Sequence, residues 1–310
     1  STPRKEDDIV EILSGTFEGR TTGTPISMIV FNKTQRSGDY GEIANYYRPG
    51  HADFTLDSKY GFRDYRGGGR SSARETIARV AAGAVAAKIL QAMNISFTTY
   101  TRSIGPISID YQQFDKQEIF NNPLYMPDSN AASLAGEFIE TKMKEHDSVG
   151  GVVECIIDGV MPGLGDPVFE KLNANLAKAI MSIGAVKSFE IGDGASVAQS
   201  LGSINNDGFV MSNGQVKKSS NHSGGILGGI SDGSSILLRA SFKPTPSILK
   251  EQSTVNKSNE DITVSIIGRH DPVVVPRAVV VVEAMAAITI LDALLGNMTA
   301  RLDKIIDFYK

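Results

Sequence analysis

Between residues 36 and 76 the chain concentrates groups that hold anions and move protons. Six arginines (Arg36, Arg48, Arg63, Arg66, Arg70, Arg74), one histidine (His51) and three consecutive glycines (Gly67, Gly68, Gly69) fall within it. A guanidinium is planar, permanently charged and able to grip phosphate or carboxylate with two parallel hydrogen bonds. The stretch runs into Ser72-Ala73-Arg74-Glu75. This Ser-x-x-Glu form of a capping box predicts a helix start. Helix starts carry unpaired N–H groups and partial positive charge, both of which attract anions. Within the same stretch, Arg48-Pro49-Gly50-His51-Ala52-Asp53 reads as a fixed turn that presents His51 beside Arg48. Histidine is the side chain suited to proton transfer near neutral pH. A plain surface histidine is the alternative, and the arginine-rich setting weighs against it.

Three later segments have related chemistry. Residues 221–233 carry five glycines, which allow backbone to approach a flat ligand. They match neither the Walker A nor the dinucleotide pattern, so an ordinary glycine-rich turn is the better reading of that segment alone. Lys243-Pro244-Thr245-Pro246-Ser247 is a stiffened turn whose ammonium and two hydroxyls could meet a phosphate. In Gly268-Arg269-His270-Asp271-Pro272 an anion site with a proton acceptor and a surface ion pair are equally open readings. Glu140, Glu145 and His146 do not have zinc-ligand spacing, and no metal site is expected.

The elements that must position these groups follow from periodicity and turn residues. Strands are expected at 9–13, 25–32, 95–110, 149–160, 185–191, 235–242 and 262–267. Helices are expected at 72–93, 130–146, 166–183 and 276–309, the last broken near Gly296-Asn297. Residues 32–71 show no clear period, and a loop that long is more often functional than incidental. Gly19, Gly23 and Ile26 share their spacing with Gly229, Gly233 and Ile236. Each set precedes a strand, then a Gly-Arg pair, then a long apolar helix, so two related halves are one reading and coincidence the other. Residues 279–295 are apolar, but Glu283 and Asp292 interrupt them, which favours a buried helix over a membrane span.

With 310 residues, 41% apolar and 21% charged, the chain can build a sizeable core. The absence of a linker points to one α+β domain over 1–310, with helices packed against antiparallel sheets. A net charge of −4 argues against a general nucleic-acid binder and leaves the loop arginines as a local concentration. Cys155 is the only cysteine, which excludes an internal disulfide and suits a small core residue.

Six segments in one order resemble the chorismate synthase family over essentially the whole chain. They are RPGHAD at 48–53, YRGGGRSSARET at 65–76, DSVGGVVE at 147–154, GGILGGIS at 224–231, KPTPS at 243–247 and GRHDP at 268–272. The resemblance implies a single-domain β-α-β sandwich with antiparallel sheets packed on a helical core, and a homotetramer in the cytoplasm. It implies a lyase of the shikimate pathway that eliminates phosphate from 5-enolpyruvylshikimate 3-phosphate to give chorismate. It further implies reduced FMN as cofactor. Sequence does not decide between reduction by the chain's own use of NADPH and an external flavin reductase, and with no obvious flavin-reductase segment the external supply is the better reading.

By the same resemblance His51 takes the place of the histidine that protonates reduced flavin. Asp271 takes that of the aspartate which works with the flavin to remove the substrate proton, and Arg48 binds substrate. Arg70, Ser71, Ser72, Gly184, Ala185, Gly228, Lys243, Pro244, Thr245, Pro246, Ser247 and Arg269 fall at flavin-binding positions. The family has Asn-Ala where this chain has Gly184-Ala185. The family also opens with a Gly-Glu-Ser-His-Gly segment, and the chain as given starts beyond it. The expectations are therefore a longer natural protein and weak FMN binding with slow turnover in this form. A flavin-binding protein without lyase activity is the alternative, and an Arg-rich RNA-binding module a more remote one.

Overall fold

The computed structural model describes residues 8–32, 41–66, 69–266 and 271–310. Arg36, Gly67, Gly68, Gly268, Arg269 and His270 lie outside the described residues. At the centre stands a five-stranded sheet built from β1 (Ser96–Ile104), β2 (Ile107–Ser108), β3 (Gly151–Asp158), β4 (Val186–Ile191) and β5 (Ile236–Phe242). The spatial order is β2-β1-β3-β5-β4, and every neighbouring pair is antiparallel. Strand β5 shows the period-two logic. Ile236, Leu238, Ala240 and Phe242 are buried, while Leu237, Arg239 and Ser241 are less so.

Register sorts chemistry between the two faces. Thr99, Cys155 and Leu238 form one row, and Tyr100, Glu154 and Arg239 the next. Cys155 is fully buried, accepts a hydrogen bond from Thr99 Oγ1 at 3.2 Å, and has its thiol pushed up to about 12 by burial. That makes it a core residue rather than a nucleophile. On the other face the carboxylate of buried Glu154 receives Tyr100 Oη, Tyr111 Oη at 2.8 and 2.9 Å, and Arg239 Nε. A buried carboxylate needs such partners.

The helices are α1 (Asp53–Tyr60), α2 (Thr76–Ala92), α3 (Ser129–Lys144), α4 (Leu172–Met181), α5 (Val275–Asn297) and α6 (Leu302–Phe308), with one further turn at Gly202–Asn205. Their buried positions recur at helical spacing: Gly83, Ala86 and Leu90 on α2, and Leu172, Leu176 and Ile180 on α4. Helix α5 is long and apolar enough by composition to cross a membrane. Here it packs against α2, α4 and strands β1 and β3, with Val282, Ala286, Ala287 and Ile290 wholly buried. Helix α2 also meets Ser27–Ile29, which pairs antiparallel with Glu11–Ser14. The expected α+β fold is thus present, with one large antiparallel sheet packed on helices and, among the described residues, a two-stranded ladder against α2.

The suspected repeat has a structural counterpart. A two-residue hairpin precedes Ser27–Ile29 and α2, another precedes β5 and α5, and the two helices pack together. They cross at Gly83, where an added Cβ would lie 2.4 Å from Ala284 Cβ and 2.5 Å from its Cα. Gly83→Val should therefore destabilise the fold by roughly 1–3 kcal/mol or more. On α3, Gly136 has open space around it, so Gly136→Ala should be neutral or stabilising by up to ~1 kcal/mol. Urea unfolding of both variants checks the contrast, and equal effects would contradict this account of the α2–α5 contact.

Three expectations change. Helix α4 starts at Leu172 rather than near 166, because Pro167 and Val168, the latter at φ +67°, make a turn first. Helix α1 arises inside the stretch read as loop. Its sequence DFTLDSKY buries only Asp53, so no apolar stripe announced it. The capping box at Ser72 is only half formed. Ser72 Oγ accepts from Arg74 N at 3.4 Å and opens a 3-10 turn, Ala73–Glu75, ahead of α2, while Glu75 turns away to bond Arg79.

Candidate functional site

The turn bearing His51 is anchored from below. Backbone at 45–47 pairs with 255–257, through Tyr47 N to Val255 O (3.2 Å) and Lys257 N to Asn45 O (2.9 Å). Buried Arg63 donates to the carbonyls of Ile43 (2.7 Å) and Tyr46 (2.8 Å) and bonds Asp57. Gly50 takes φ +65°, and His51 N closes the turn on Arg48 O at 3.2 Å. Asp53, the first residue of α1, is 1% exposed. It receives Arg48 Nε at 2.7 Å, Arg48 Nη2 at 2.9 Å and the Arg48 backbone N–H at 3.1 Å. His51 Nδ1 lies 3.0 Å from Asp53 Oδ1 and 3.1 Å from Arg48 Nη2. Burial opposes ionisation of Asp53, but the hydrogen bonds and charges of Arg48 and His51 outweigh it. The carboxyl is held well below the usual carboxylate range.

Direct contacts join this turn to the distant segments. The ammonium of Lys243 donates to the Gly50 carbonyl, and Pro246 packs beside Gly50. The Lys243 backbone N–H donates to Ala185 O at 2.9 Å. Burial, together with neighbouring Lys187, lowers the Lys243 pKa. Ser148 Oγ donates to Thr245 O at 2.7 Å, and Val149 N to Pro272 O at 2.8 Å. Asp271, one residue earlier, pairs through Oδ2 with Arg277 Nη1 at 2.9 Å. Its Oδ1 and the Thr245 hydroxyl are buried without a hydrogen-bond partner among the described residues. Ser247 is buried, and Pro244 is exposed.

Next to Ala185, a cleft of about 450 Å³ opens between the start of α2 and the end of α4. Arg70, Ser71, Ser72, Arg79 and Gly184 are among its lining residues. Arg79 braces it, with Nε 2.9 Å from Glu75 Oε2, Nη1 2.5 Å from Ser182 Oγ and Nη2 3.3 Å from Ser182 O. Arg70 is exposed. An added Cβ on Gly184 would meet nothing within 4 Å, so the position has room for a side chain.

The fold therefore links Arg48, His51, Ala185 and the 243–247 turn by direct contacts and joins them to Asp271 through Ser148, Val149 and Pro272, with the cleft of Arg70, Ser71, Ser72 and Gly184 alongside. Gly228 stands apart. Its neighbour Gly229 accepts from Leu172 N at 2.8 Å, at the start of α4, whereas Gly184 follows the end of α4. The intervening helix is roughly 15 Å long. Arg269 lies outside the described residues. The glycine-rich segment is itself tied down by buried Lys218, which reaches Asp207 (3.1 Å), Asp232 (2.8 Å) and Asn221 Oδ1 (2.9 Å). Gly224 serves close packing there, since a Cβ would fall 2.3 Å from Gly192 N.

Sequence reasoning did not single out Asp53, Arg79 or Ser182, and it read Arg63 among the anion-holding arginines, whereas Arg63 is buried and bonded to Asp57 and two backbone carbonyls. Asp53 had a signal, two residues after His51 in the same hexapeptide. Arg79 had another, four residues after Glu75 on one helix. Ser182 had none, because only the tertiary fold brings it to Arg79.

A family profile described as chorismate synthase matches residues 1–295. The chain is 68% identical to a chorismate synthase of Agathobacter rectalis over 310 residues, covering 100% of this chain and 84% of that protein. It is 65% identical to one of Lachnospira eligens, again over 310 residues, covering 100% and 85%. A solved structure titled "Crystal Structure of Chorismate Synthase" aligns with a TM-score of 0.73 and 31% identity, covering 94% of this chain and 78% of that one.

Proposed function

This chain belongs to the chorismate synthase family, a family of lyases, and from that premise we propose that it eliminates phosphate from 5-enolpyruvylshikimate 3-phosphate to give chorismate. The observation that carries the reading is the set of contacts linking the His51 turn, the 243–247 turn and the Asp271 segment. A 1,4-elimination in the anti sense removes a proton and a phosphate from opposite faces of the substrate ring. It needs a proton acceptor and an anion clamp fixed relative to one another.

The residues fit a phosphorylated flavin. The buried, unpartnered Thr245 hydroxyl and Asp271 Oδ1 are polar groups that a ligand would satisfy. The cleft lined by Arg70, Ser71, Ser72 and Gly184 offers a guanidinium and hydroxyls for a phosphate. These groups, with Ala185 and the 243–247 turn, would hold reduced FMN. Bound there, reduced FMN would supply a transient electron to help expel phosphate, which matters because no carbonyl activates the departing proton.

The chain's own groups divide the remaining work. Arg48 bonds Asp53 through Nε and Nη2, and Nη1 has no such bond among the described residues, so that edge faces substrate. His51 carries a proton on a ring that is about one-third exposed. Asp271 has one oxygen held by Arg277 and the other without a hydrogen-bond partner among the described residues, and we assign it to accept the substrate proton. We place the enzyme in the shikimate pathway, in the cytoplasm, as a homotetramer fed with reduced flavin from outside. Family membership supports the pathway assignment.

An oxygen-free assay of the full-length protein with reduced FMN and substrate tests the reaction. Phosphate and chorismate should appear in equal amounts. Flavin binding without phosphate release would refute the lyase assignment.

A further inference from the structure

One guanidinium ties together the two walls of the cleft. Arg79 lies near the start of α2, and its Nε donates to Glu75 Oε2 at 2.9 Å. On its other edge Nη1 donates to Ser182 Oγ at 2.5 Å and Nη2 to Ser182 O at 3.3 Å. Ser182 directly follows α4. Its carbonyl therefore belongs to a helix end, where carbonyls lack intrahelical partners and a cation is favoured. The Ser182 hydroxyl passes the bond on, donating to Ala179 O at 2.6 Å. Two arms of one planar fork thus land on a single residue, a geometry that the point charge of a lysine does not reproduce. Helices α2 and α4 each pack on α5, and Arg79 joins them directly where the cleft opens.

What Ser182 holds is a strained turn. Ala185 takes φ +73°, a left-handed conformation that a residue with a side chain adopts only at a cost. Such conformations persist where the surroundings over-determine them, and they gather at ligand sites. Here the Ala185 carbonyl accepts Lys243 N at 2.9 Å, Val186 N reaches back to Ile183 O at 3.3 Å, and Arg79 fixes Ser182. Gly184 stands between these supports and lines the cleft. The carboxylate of Glu75, drawn away from the helix start, aims the guanidinium across to this turn.

We propose that Arg79 is a positioning residue for the flavin site. It holds the 182–185 turn against the wall formed by residues 70–75, and so fixes the width of the cleft and the place of Gly184 and Ala185. Glu75 aims the guanidinium and Ser182 receives it, so the three side chains act as one unit. This rests on the reading of the cleft as a flavin site.

The test uses the full-length protein, with Arg79→Lys, Ser182→Ala and the double variant. Oxidised FMN is titrated, and binding is followed by flavin fluorescence. Arg79→Lys should weaken FMN binding by ~10-fold, and Ser182→Ala by about threefold or more. The double variant should lose no more than Arg79→Lys alone, because members of one unit do not add. Amide hydrogen exchange without ligand, read by NMR, gives a second measure. In Arg79→Lys the Val186 N–H should exchange ~10-fold faster, while the amides of β5 keep the parental rate. A purely structural brace would lower the urea midpoint and leave the FMN affinity of the folded protein unchanged, a result that would overturn the proposal. Additive losses in the double variant would also overturn it. A parent protein that binds no FMN would refute the flavin reading and the proposal together. An unchanged Val186 rate in a protein whose parent does bind FMN would sink the proposal alone.

Discussion

His51→Ala should lower turnover by ~10²–10⁴-fold while leaving the fold intact. The turn that carries His51 does not depend on the imidazole. It is closed by backbone bonding to Arg48 O, held from above by Lys243 on the Gly50 carbonyl, and held from below by the Arg48–Asp53 pair. Removing the ring takes one acceptor from Arg48 Nη2 and leaves the bidentate Arg48–Asp53 pair in place. Stability should fall by no more than about 0.5–1.5 kcal/mol, the net worth of an ordinary hydrogen bond. The signature is a large loss in kcat with a small shift in urea midpoint. Comparable turnover in variant and parent would remove His51 from the chemistry.

Arg48→Ala should behave in the opposite way, with a stability loss of ~3–5 kcal/mol at neutral pH. The reason is Asp53, which stays buried and loses its bidentate partner. The pH dependence follows from the sign of the shift. The folded-state pKa of Asp53 is depressed, so its contribution is present above the ordinary carboxylate range and is lost as pH falls through the folded value. Without Arg48, burial dominates, and Asp53 takes up its proton at a higher pH. The gap between parent and variant should therefore be widest near pH 7 and should narrow as acid protonates Asp53 in both. Unfolding curves at neutral and acid pH check this, and a gap that widens in acid would contradict it. If Arg48 binds substrate as proposed, substrate affinity in the folded fraction should also weaken by roughly 1.5–3 kcal/mol.

Much of the scaffold was legible because its signals are local. The β5 alternation, the helical spacing on α2 and the break near Gly296 needed only neighbours in sequence, and α5 ends at Asn297 with α6 following at Leu302. The site was legible as residue types and only partly as geometry. Arg48, His51 and Lys243 were singled out by turn chemistry, and Gly50 and Lys243 do meet. The roles of partners were less visible. Asp53 reads in sequence as one more polar loop residue, and only α1, which has no apolar stripe, buries it against Arg48 and Arg63. Ser182 reaches Arg79 across 103 residues, a contact no periodicity encodes. Glu75 looked like a capping residue, but its carboxylate has a stronger partner in the guanidinium of Arg79 than in a backbone N–H. Gly228 shows the reverse case. Its context read as an ordinary glycine-rich turn and only the resemblance gave it a flavin role; its neighbours Gly224 and Gly229 pack closely, on Gly192 and on the start of α4.

The central claim is that segments remote in sequence close around one pocket for flavin and substrate together. A crystal structure of the full-length protein with FMN and substrate, grown without oxygen, tests it most directly. The account predicts both ligands in a single cavity, in contact with the His51 turn, the 243–247 turn and Asp271. Ligands bound on a surface that excludes His51 and Asp271, or held in two separate cavities, would contradict it.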